Sequence, residues 1–145
     1  MPFKIEEIVE TISMVEMDHF DVRTVTMGIN LLDCADSDPA ALQRKIVNKV
    51  MRKARDLARM VDAVSADLGI PIANKRIAVT PLAIPLSSMP RGSFVSIARA
   101  LDGAVADLGI DFLGGYSALV PMGITAADVT LIASIPEVLA TTSRI

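Results

Sequence analysis

The chain has 145 residues, of which 52% are apolar and 21% charged, and its 14 Lys and Arg against 17 Asp and Glu leave a formal charge of −3. This composition excludes a disordered tail, which would need few apolar residues and a large net charge. The mildly acidic balance gives no electrostatic reason to expect nucleic-acid binding. At this length we expect one domain, and the apolar excess predicts a surface that a partner covers.

The sequence predicts neither a transmembrane helix nor a signal peptide. The longest uncharged stretch, 112–127, is broken by glycines and a proline, so it does not predict a transmembrane helix. Glu6, Glu7 and Glu10 lie where the apolar core of a signal peptide would begin. With one cysteine and one histidine, the chain offers neither an internal disulfide nor the spacing of a metal site. We therefore predict a cytoplasmic protein without a metal or other cofactor.

The first predicted elements are an amphipathic helix over 5–15 and a strand over 22–32. The strand alternates between an apolar side and a side of small or polar residues. The residues of that second side are Thr24, Thr26, Gly28 and Asn30. Strands buried on both faces usually read as unbroken apolar runs, so this pattern needs an explanation. Either the polar side faces a barrel lumen or substrate cavity, or the strand lies at an edge of the sheet with one face exposed to solvent.

Next, the spacing of apolar residues predicts one long helix from Asp38-Pro39 to Leu68, ended by Gly69. A second strand follows over 75–80, and a loop rich in Pro and Ser leads to a helix over 94–108.

The carboxyl-terminal part of the sequence predicts one more strand and two helices. Gly109 ends the helix before it, and the strand covers 112–120. Capping-box spacings at 125–128 and 134–137 then predict two short helices, the second with a proline in its first turn.

An internal repeat with an offset of 40 residues links 58–84 to 98–124, with 11 identities in 27 ungapped positions. The repeat indicates a duplicated helix-strand unit, and such units build parallel sheets through crossover connections. Alternatively, the identities reflect only a sequence pattern that is common where a helix ends and a strand begins, without a duplication. Both interpretations predict an α/β fold, with residues 1–145 forming a single α/β segment.

Four blocks of the sequence, 20–36, 69–83, 109–120 and 135–145, resemble the amino-terminal third of an uncharacterised family of pyruvate-formate-lyase-like proteins. The resemblance implies repeated helix-strand units that form part of a ten-stranded α/β barrel, completed by a second chain or a missing carboxyl-terminal segment. It does not imply a glycyl radical, because Gly114-Gly115-Tyr116 differs from the arginine-led radical loop.

In that family, the segment similar to the last residues here runs into a Cys-Ser-Ser stretch, so the resemblance implies that a cysteine follows Ile145. Gene splitting, truncation or self-processing would each explain an end at this bond. In self-processing, an N-to-S acyl shift moves the carbonyl of Ile145 from the amide nitrogen to the cysteine sulfur. Hydrolysis of the resulting thioester leaves Ile145 as a free carboxylate and an amino-terminal cysteine whose released amine is its own base.

The resulting functional prediction is the α subunit of a two-chain hydrolase that acts on an amide or related acyl bond of a small molecule. The partner is the carboxyl-terminal chain of the same precursor or a split-gene subunit, and the pair assembles into a higher homo-oligomer. The alternative is a non-catalytic subunit of the same fold that binds a small metabolite.

Asp33 and Cys34 are the candidate catalytic residues, because they follow the first strand, at the carboxyl end where parallel sheets bind ligands. A lone cysteine is more often a small buried hydrophobe, and acidic neighbours raise a thiol pKa. Asp33 has an alternative role in capping the turn.

The candidate substrate-binding residues lie on or beside the three predicted strands. They are Asn30, Lys75, Arg76, Thr80, Gly114, Gly115 and Ser117. Arg supplies a planar donor fork and Lys a point charge for a carboxylate or phosphate. The two cations have an alternative role in structural ion pairs with helix carboxylates. The paired glycines would allow close backbone approach.

Two further features predict no chemistry. His19, the only histidine, precedes a strand and is expected at the surface. The stretch 44–59 holds seven of the 14 basic residues, but no aromatic residue interleaves with them. We therefore expect a solvated helix face rather than a nucleic-acid site.

Overall fold

The computed structural model describes residues 4–17 and 22–145. In chain order, the helices and strands are α1 (Ile5–Ile12), β1 (Val22–Ile29), α2 (Pro39–Ala54), α3 (Leu57–Leu68), β2 (Ile72–Val79), α4 (Arg91–Asp107), β3 (Phe112–Gly114) and α5 (Ala126–Thr141). A π-helical turn extends α1, and short 3₁₀ turns follow β1 and precede α5. None of the helices in these two ranges has the length and apolar character needed to cross a bilayer.

The predicted helix ends are largely confirmed. The Asp38 carboxylate accepts hydrogen bonds from the backbone N–H groups of Ala40 and Ala41, so it caps α2 ahead of Pro39. Gly69 and Gly109 take left-handed φ values of 67° and 66° after α3 and α4. β2 and α4 each begin three residues earlier than predicted, directly after a proline.

The three strands form a parallel sheet in the order β1-β2-β3. One face carries Ile29, Ile77 and Leu113, which are buried in a core shared with α2, α3 and α4. The mixed α/β class and the parallel sheet are confirmed. Within the described residues the sheet is open and three-stranded, so a barrel is not part of the fold seen here.

The prediction of one long helix from Asp38 to Leu68 is wrong, because the chain turns at Arg55–Asp56 and starts α3. Asp56 leaves the helical region with φ −102° and ψ 0°, and its carboxylate lies within 3.5 Å of the guanidinium nitrogens of Arg55 and Arg59. The apolar spacing hid this turn. Core residues on either side, Ala54 and Leu57, are three apart, as they would be in an unbroken helix.

The third strand ends at Gly114 rather than continuing to Val120. Gly115 has φ 121° and takes the chain out of the regular ladder. The next residues still bond to the segment after β2, since the N–H groups of Leu82 and Ala83 donate to the carbonyls of Gly115 and Ser117.

The final segment forms a single helix, α5, rather than two. Its first capping box is confirmed, with Thr125 and Asp128 bonded reciprocally. Ser134 does not cap a second helix. It is buried, its hydroxyl donates to the carbonyl of Leu131 and lies 2.5 Å from the Tyr116 hydroxyl, and Pro136 is accommodated inside the helix.

After α5 the chain returns to the sheet. The Leu113 N–H donates to the Arg144 carbonyl at 2.7 Å, and Ile145 packs against the core. The Asp102 carboxylate on α4 accepts hydrogen bonds from the N–H groups of Ser143 and Arg144. Residues 143–145 are thereby held along the free edge of β3.

Candidate functional site: the open face of the sheet

Among the described residues, the helices that pack on the sheet lie on the face of Ile29, Ile77 and Leu113, and the second face has no such layer. Strand register aligns its residues in rows across the sheet. After the apolar pair Val22 and Ile72 at the amino end, the rows are Thr24 and Asn74, then Thr26, Arg76 and Phe112, then Gly28, Ala78 and Gly114. We call these eight residues the open face. None of them carries a carboxylate, and Arg76 is its one charged residue.

The exposure of this face extends beyond the edge strand. Thr24, Thr26 and Gly28 are exposed on β1, which is an edge of the described sheet, as the second interpretation predicted. Arg76 on the central strand β2 is also exposed and Phe112 on β3 is 49% exposed, whereas Asn74, Ala78 and Gly114 are half-buried. An edge position therefore accounts for the polar side of β1 but not for the exposure of Arg76.

Arg76 lies across Gly114 on the neighbouring strand. A methyl group built on Gly114 would come within 2.9 Å of Arg76 Nη2 and 3.4 Å of Nε. Glycine at this position lets the guanidinium rest against the strand backbone. In the part of the chain that the structure describes, Arg76 forms no ion pair.

At the carboxyl ends of β1 and β2, Asn30 and Thr80 meet. The Thr80 hydroxyl donates to Asn30 Oδ1 at 3.3 Å and accepts from the Leu31 N–H at 3.0 Å. Asn30 Oδ1 also accepts from the Leu32 N–H at 2.9 Å. These bonds fix the orientation of the amide, which leaves the Asn30 NH₂ group without an acceptor among the described residues.

Lys75 points away from its neighbour Arg76. Its ammonium pairs with Asp62 on α3 at 2.8 Å, and its side chain is 22% exposed. Asp111 accepts a hydrogen bond from the Lys75 backbone N–H. Of the two roles expected for these cations, Lys75 therefore has the structural one, in an ion pair with a helix carboxylate. Arg76 is the cation of the open face.

Asp33 and Cys34 lie off the open face, in a 3₁₀ turn after β1. The Lys49 ammonium bonded to Asp33 lowers the pKa of that carboxyl. Cys34 is 3% exposed, and burial, followed by the Asp33 charge, raises the pKa of its thiol. A raised thiol pKa disfavours the reactive thiolate, so the surroundings of Cys34 suit a small buried hydrophobe.

A cleft of about 400 Å³ adjoins this turn, lined by both residues with Lys45, Asn48, Lys49 and Arg52. A second cleft, of about 500 Å³, lies between α4 and α5, with Arg91, Arg99 and Glu137 among its lining residues. Neither cleft contains a residue of the open face. Across residues 4–17 and 22–145 there is no group of three His, Cys, Asp or Glu that could hold a metal ion.

The other predicted site residues have separate positions. Gly115 is packed so closely that an added methyl would lie 2.6 Å from the Val79 carbonyl oxygen, so its role is structural. Ser117 is exposed beyond β3, and Ile145 lies beside Leu113 at the sheet edge. His19 falls outside the described residues.

The predicted residues therefore gather in two pairs, Arg76 with Gly114 and Asn30 with Thr80. The residue that the sequence reasoning missed is Phe112, which flanks Arg76 in its row. Strand alternation combined with parallel register was the signal for it. No sequence signal pointed to the Tyr116–Ser134 contact or to the Asp102 clamp.

Comparison with known proteins gives a family and several close relatives. A family model described as "Uncharacterised ACR (DUF711)" matches residues 13–145. The UPF0210 protein of Pelotomaculum thermopropionicum is 51% identical over 97% of this chain and 31% of its own length. That of Methanococcoides burtonii is 52% identical over 97% and 31%, and that of Listeria monocytogenes 49% over 96% and 31%. The chain thus spans 31% of the length of these curated relatives.

Proposed function

The chain belongs to the uncharacterised DUF711 family, and we propose that it binds a small polar metabolite on the open face of its sheet, as part of a larger α/β protein. The observation that carries the proposal is that face itself, with its polar rows, its single cation and its lack of carboxylates. Leaving a central strand of a parallel sheet uncovered on a polar face has no benefit for stability.

The proposal includes a covering layer contributed by more polypeptide. The outer sides of α5 and the loop before it expose large apolar residues, and the relatives are about three times as long as this chain. The exposed residues are Leu119, Ile124, Val129, Ile132 and Leu139. Apolar patches of this kind mark surfaces that other chain segments cover. A ten-stranded, pyruvate-formate-lyase-like barrel with the open face inside is the form that we propose for the whole.

Small fragments detected by amide chemical shifts test the binding proposal. We expect members of a mixed neutral and charged fragment set to shift the signals of the open face. Ala78→Leu would fill the Gly28–Ala78–Gly114 row and abolish these shifts. Ala63→Leu, at an exposed position of α3, is the matched control and should leave them unchanged. Shifts confined to the α4–α5 cleft, or to no site, would contradict the proposal.

Co-expression tests the covering layer. The remaining two-thirds of the Pelotomaculum relative, supplied as a separate chain, should co-purify with this one and slow hydrogen exchange of the β3 amides. Val129→Asp and Leu139→Asp should weaken the association. If the second chain instead remains unbound and β3 exchange is unchanged, the covering layer is not formed by that segment.

An acyl-bond hydrolase with an amino-terminal cysteine on the partner chain is the second proposal, and one contact favours it. The Leu113 N–H donates to the Arg144 carbonyl, so the segment before Ile145 lies beside β3. If polypeptide beyond Ile145 paired in parallel with β3, its first residue would lie opposite Gly114 and point to the open face. Mass spectrometry of a longer family member tests processing, which predicts a second chain that begins with cysteine.

A further inference from the structure

We propose that the ligand of the open face carries a carboxylate, which the Arg76 guanidinium binds through its donor fork, and that Gly114 is the residue that sets the guanidinium for this role. The inference rests on the proposed function and specifies its ligand class. Its starting point is a charge without a counter-charge, since Arg76 has no ion pair among the described residues and no carboxylate shares its face.

The local geometry suits a planar anion. In its row Arg76 lies between Thr26 and Phe112, so a residue with a hydroxyl and one with an apolar ring occupy the neighbouring strand positions. In the adjacent row the Arg76 guanidinium rests over Gly114, while Gly28 and Ala78 carry no side chain larger than a methyl group. Gly28 and Ala78 leave a shallow floor of strand backbone, on which a flat molecule can lie while its carboxylate meets Arg76.

The far end of the floor supplies a second polar group. Thr80 is four residues beyond Arg76 on the same side of the chain, a separation of roughly 13 Å at the rise of a parallel strand. Beside it, the Asn30 NH₂ group has no acceptor among the described residues. A ligand of small-metabolite size, with a carboxylate at one end and a hydrogen-bond acceptor at the other, bridges the two.

A carboxylate fits better than a phosphate because of the charge count. The face has one cation, which balances a monoanion, whereas a phosphate monoester near neutral pH carries more charge and more acceptors than one guanidinium satisfies. Arginine pairs with a carboxylate through two parallel N–H donors, and lysine offers no such fork.

Gly114 has a defined part in this arrangement. Its missing side chain leaves the space where Arg76 rests, since a methyl group there would approach Nη2 to 2.9 Å. The methyl group of an alanine at this position would displace the flexible end of the Arg76 side chain. Gly114 is thus a positioning residue that acts through Arg76.

Three matched probes test the inference on the purified chain: benzoate, benzamide and phenyl phosphate. We expect benzoate to shift the Arg76 Nε–H and the Gly28 and Gly114 amides saturably, with at least about tenfold weaker binding of benzamide, which lacks the charge. Phenyl phosphate should bind no more tightly than benzoate. If benzamide binds as well as benzoate, the carboxylate inference fails while the proposed function stands.

Substitutions of Arg76 distinguish binding through the two guanidinium N–H donors from binding through the positive charge alone. Arg76→Lys should weaken benzoate binding about tenfold and Arg76→Gln should abolish it, while Gly114→Ala should weaken it with Arg76 still present. Arg91→Gln is the control, because Arg91 is exposed and unpaired among the described residues but lies on α4. Equal binding by Arg76→Lys and the parent, or tighter binding of phenyl phosphate, overturns the carboxylate assignment. If no probe shifts the open face, the inference and the proposed function fail together.

Discussion

On one face of the sheet, Ile29, Ile77 and Leu113 are buried under three helices, while on the other face Thr26 and Arg76 are exposed. The same strands supply both faces, and neighbouring residues of one strand differ in burial, charge and contacts. Burial of apolar side chains is the main source of folding free energy. The covered face therefore stabilises the fold, and the open face is free to carry residues selected for another purpose.

The same contrast separates the candidate site residues. Lys75 and Cys34 lie on the covered side, where one pairs with Asp62 and the other is enclosed. Arg76 and Gly114 lie on the open side. If the two faces divide stability from binding in this way, substitutions on the covered face should lower the free energy of unfolding, and substitutions on the open face should affect binding instead.

The largest expected effect is that of Ile77→Ala, which deletes a fully buried side chain at the centre of β2. We expect a loss of about 2–5 kcal/mol in the free energy of unfolding, from lost burial and the cavity left behind. Thr26→Ala, on the open face, is the control and should change stability by about 0.5 kcal/mol or less. Urea denaturation measures both. A cost for Thr26→Ala close to that for Ile77→Ala would show that the open face is structural.

The adjacent glycines Gly114 and Gly115 should differ in how much stability they lose on substitution. Gly115→Ala would set a methyl 2.6 Å from the rigid Val79 carbonyl oxygen at a φ of 121°, and should cost about 2 kcal/mol or more. Gly114→Ala meets only the end of the flexible Arg76 side chain, so its cost should be below about 1 kcal/mol. Thermal unfolding of the two variants measures the difference. Equal costs would mean that the Arg76 guanidinium cannot move aside.

The acid sensitivity of the fold should reside away from the open face, because that face carries no carboxylate. Hydrogen bonds from the Thr125 side chain and backbone lower the pKa of Asp128 below its ordinary 3.8. This stabilisation is present above 3.8 and is lost as the pH falls through the lower folded value. Thr125→Ala should cost about 1 kcal/mol near neutral pH through loss of the cap.

Denaturation at a series of pH values checks the titration. Asp128→Asn should remove part of the stability loss at low pH, whereas Asp67→Asn, at an exposed position of α3, should leave the profile unchanged. If both variants behave like the parent, the Asp128 cap does not contribute to acid sensitivity.

Much of this division could be predicted from the sequence. Alternation over Val22–Leu32 separated the apolar side from the polar side, and glycine placement located the helix ends. The break at Arg55–Asp56 was hidden because the core spacing stays helical across it. Lys75 and Arg76 were treated alike as binding cations, although adjacent strand residues point to opposite faces. Which of the two faced the helices depended on packing of α3 against β2, which no local pattern contains.

The smallest expected effects come from that adjacent pair. Lys75→Met breaks a partly exposed ion pair with Asp62 and should cost about 0.2–1 kcal/mol, since solvent screens such pairs. Arg76→Met should cost less, because Arg76 has no ion pair to lose within the described chain. Urea titrations in parallel measure both. Should Arg76→Met prove the more destabilising, the guanidinium would serve the fold, and an uncompensated cation on the open face would no longer argue for a ligand.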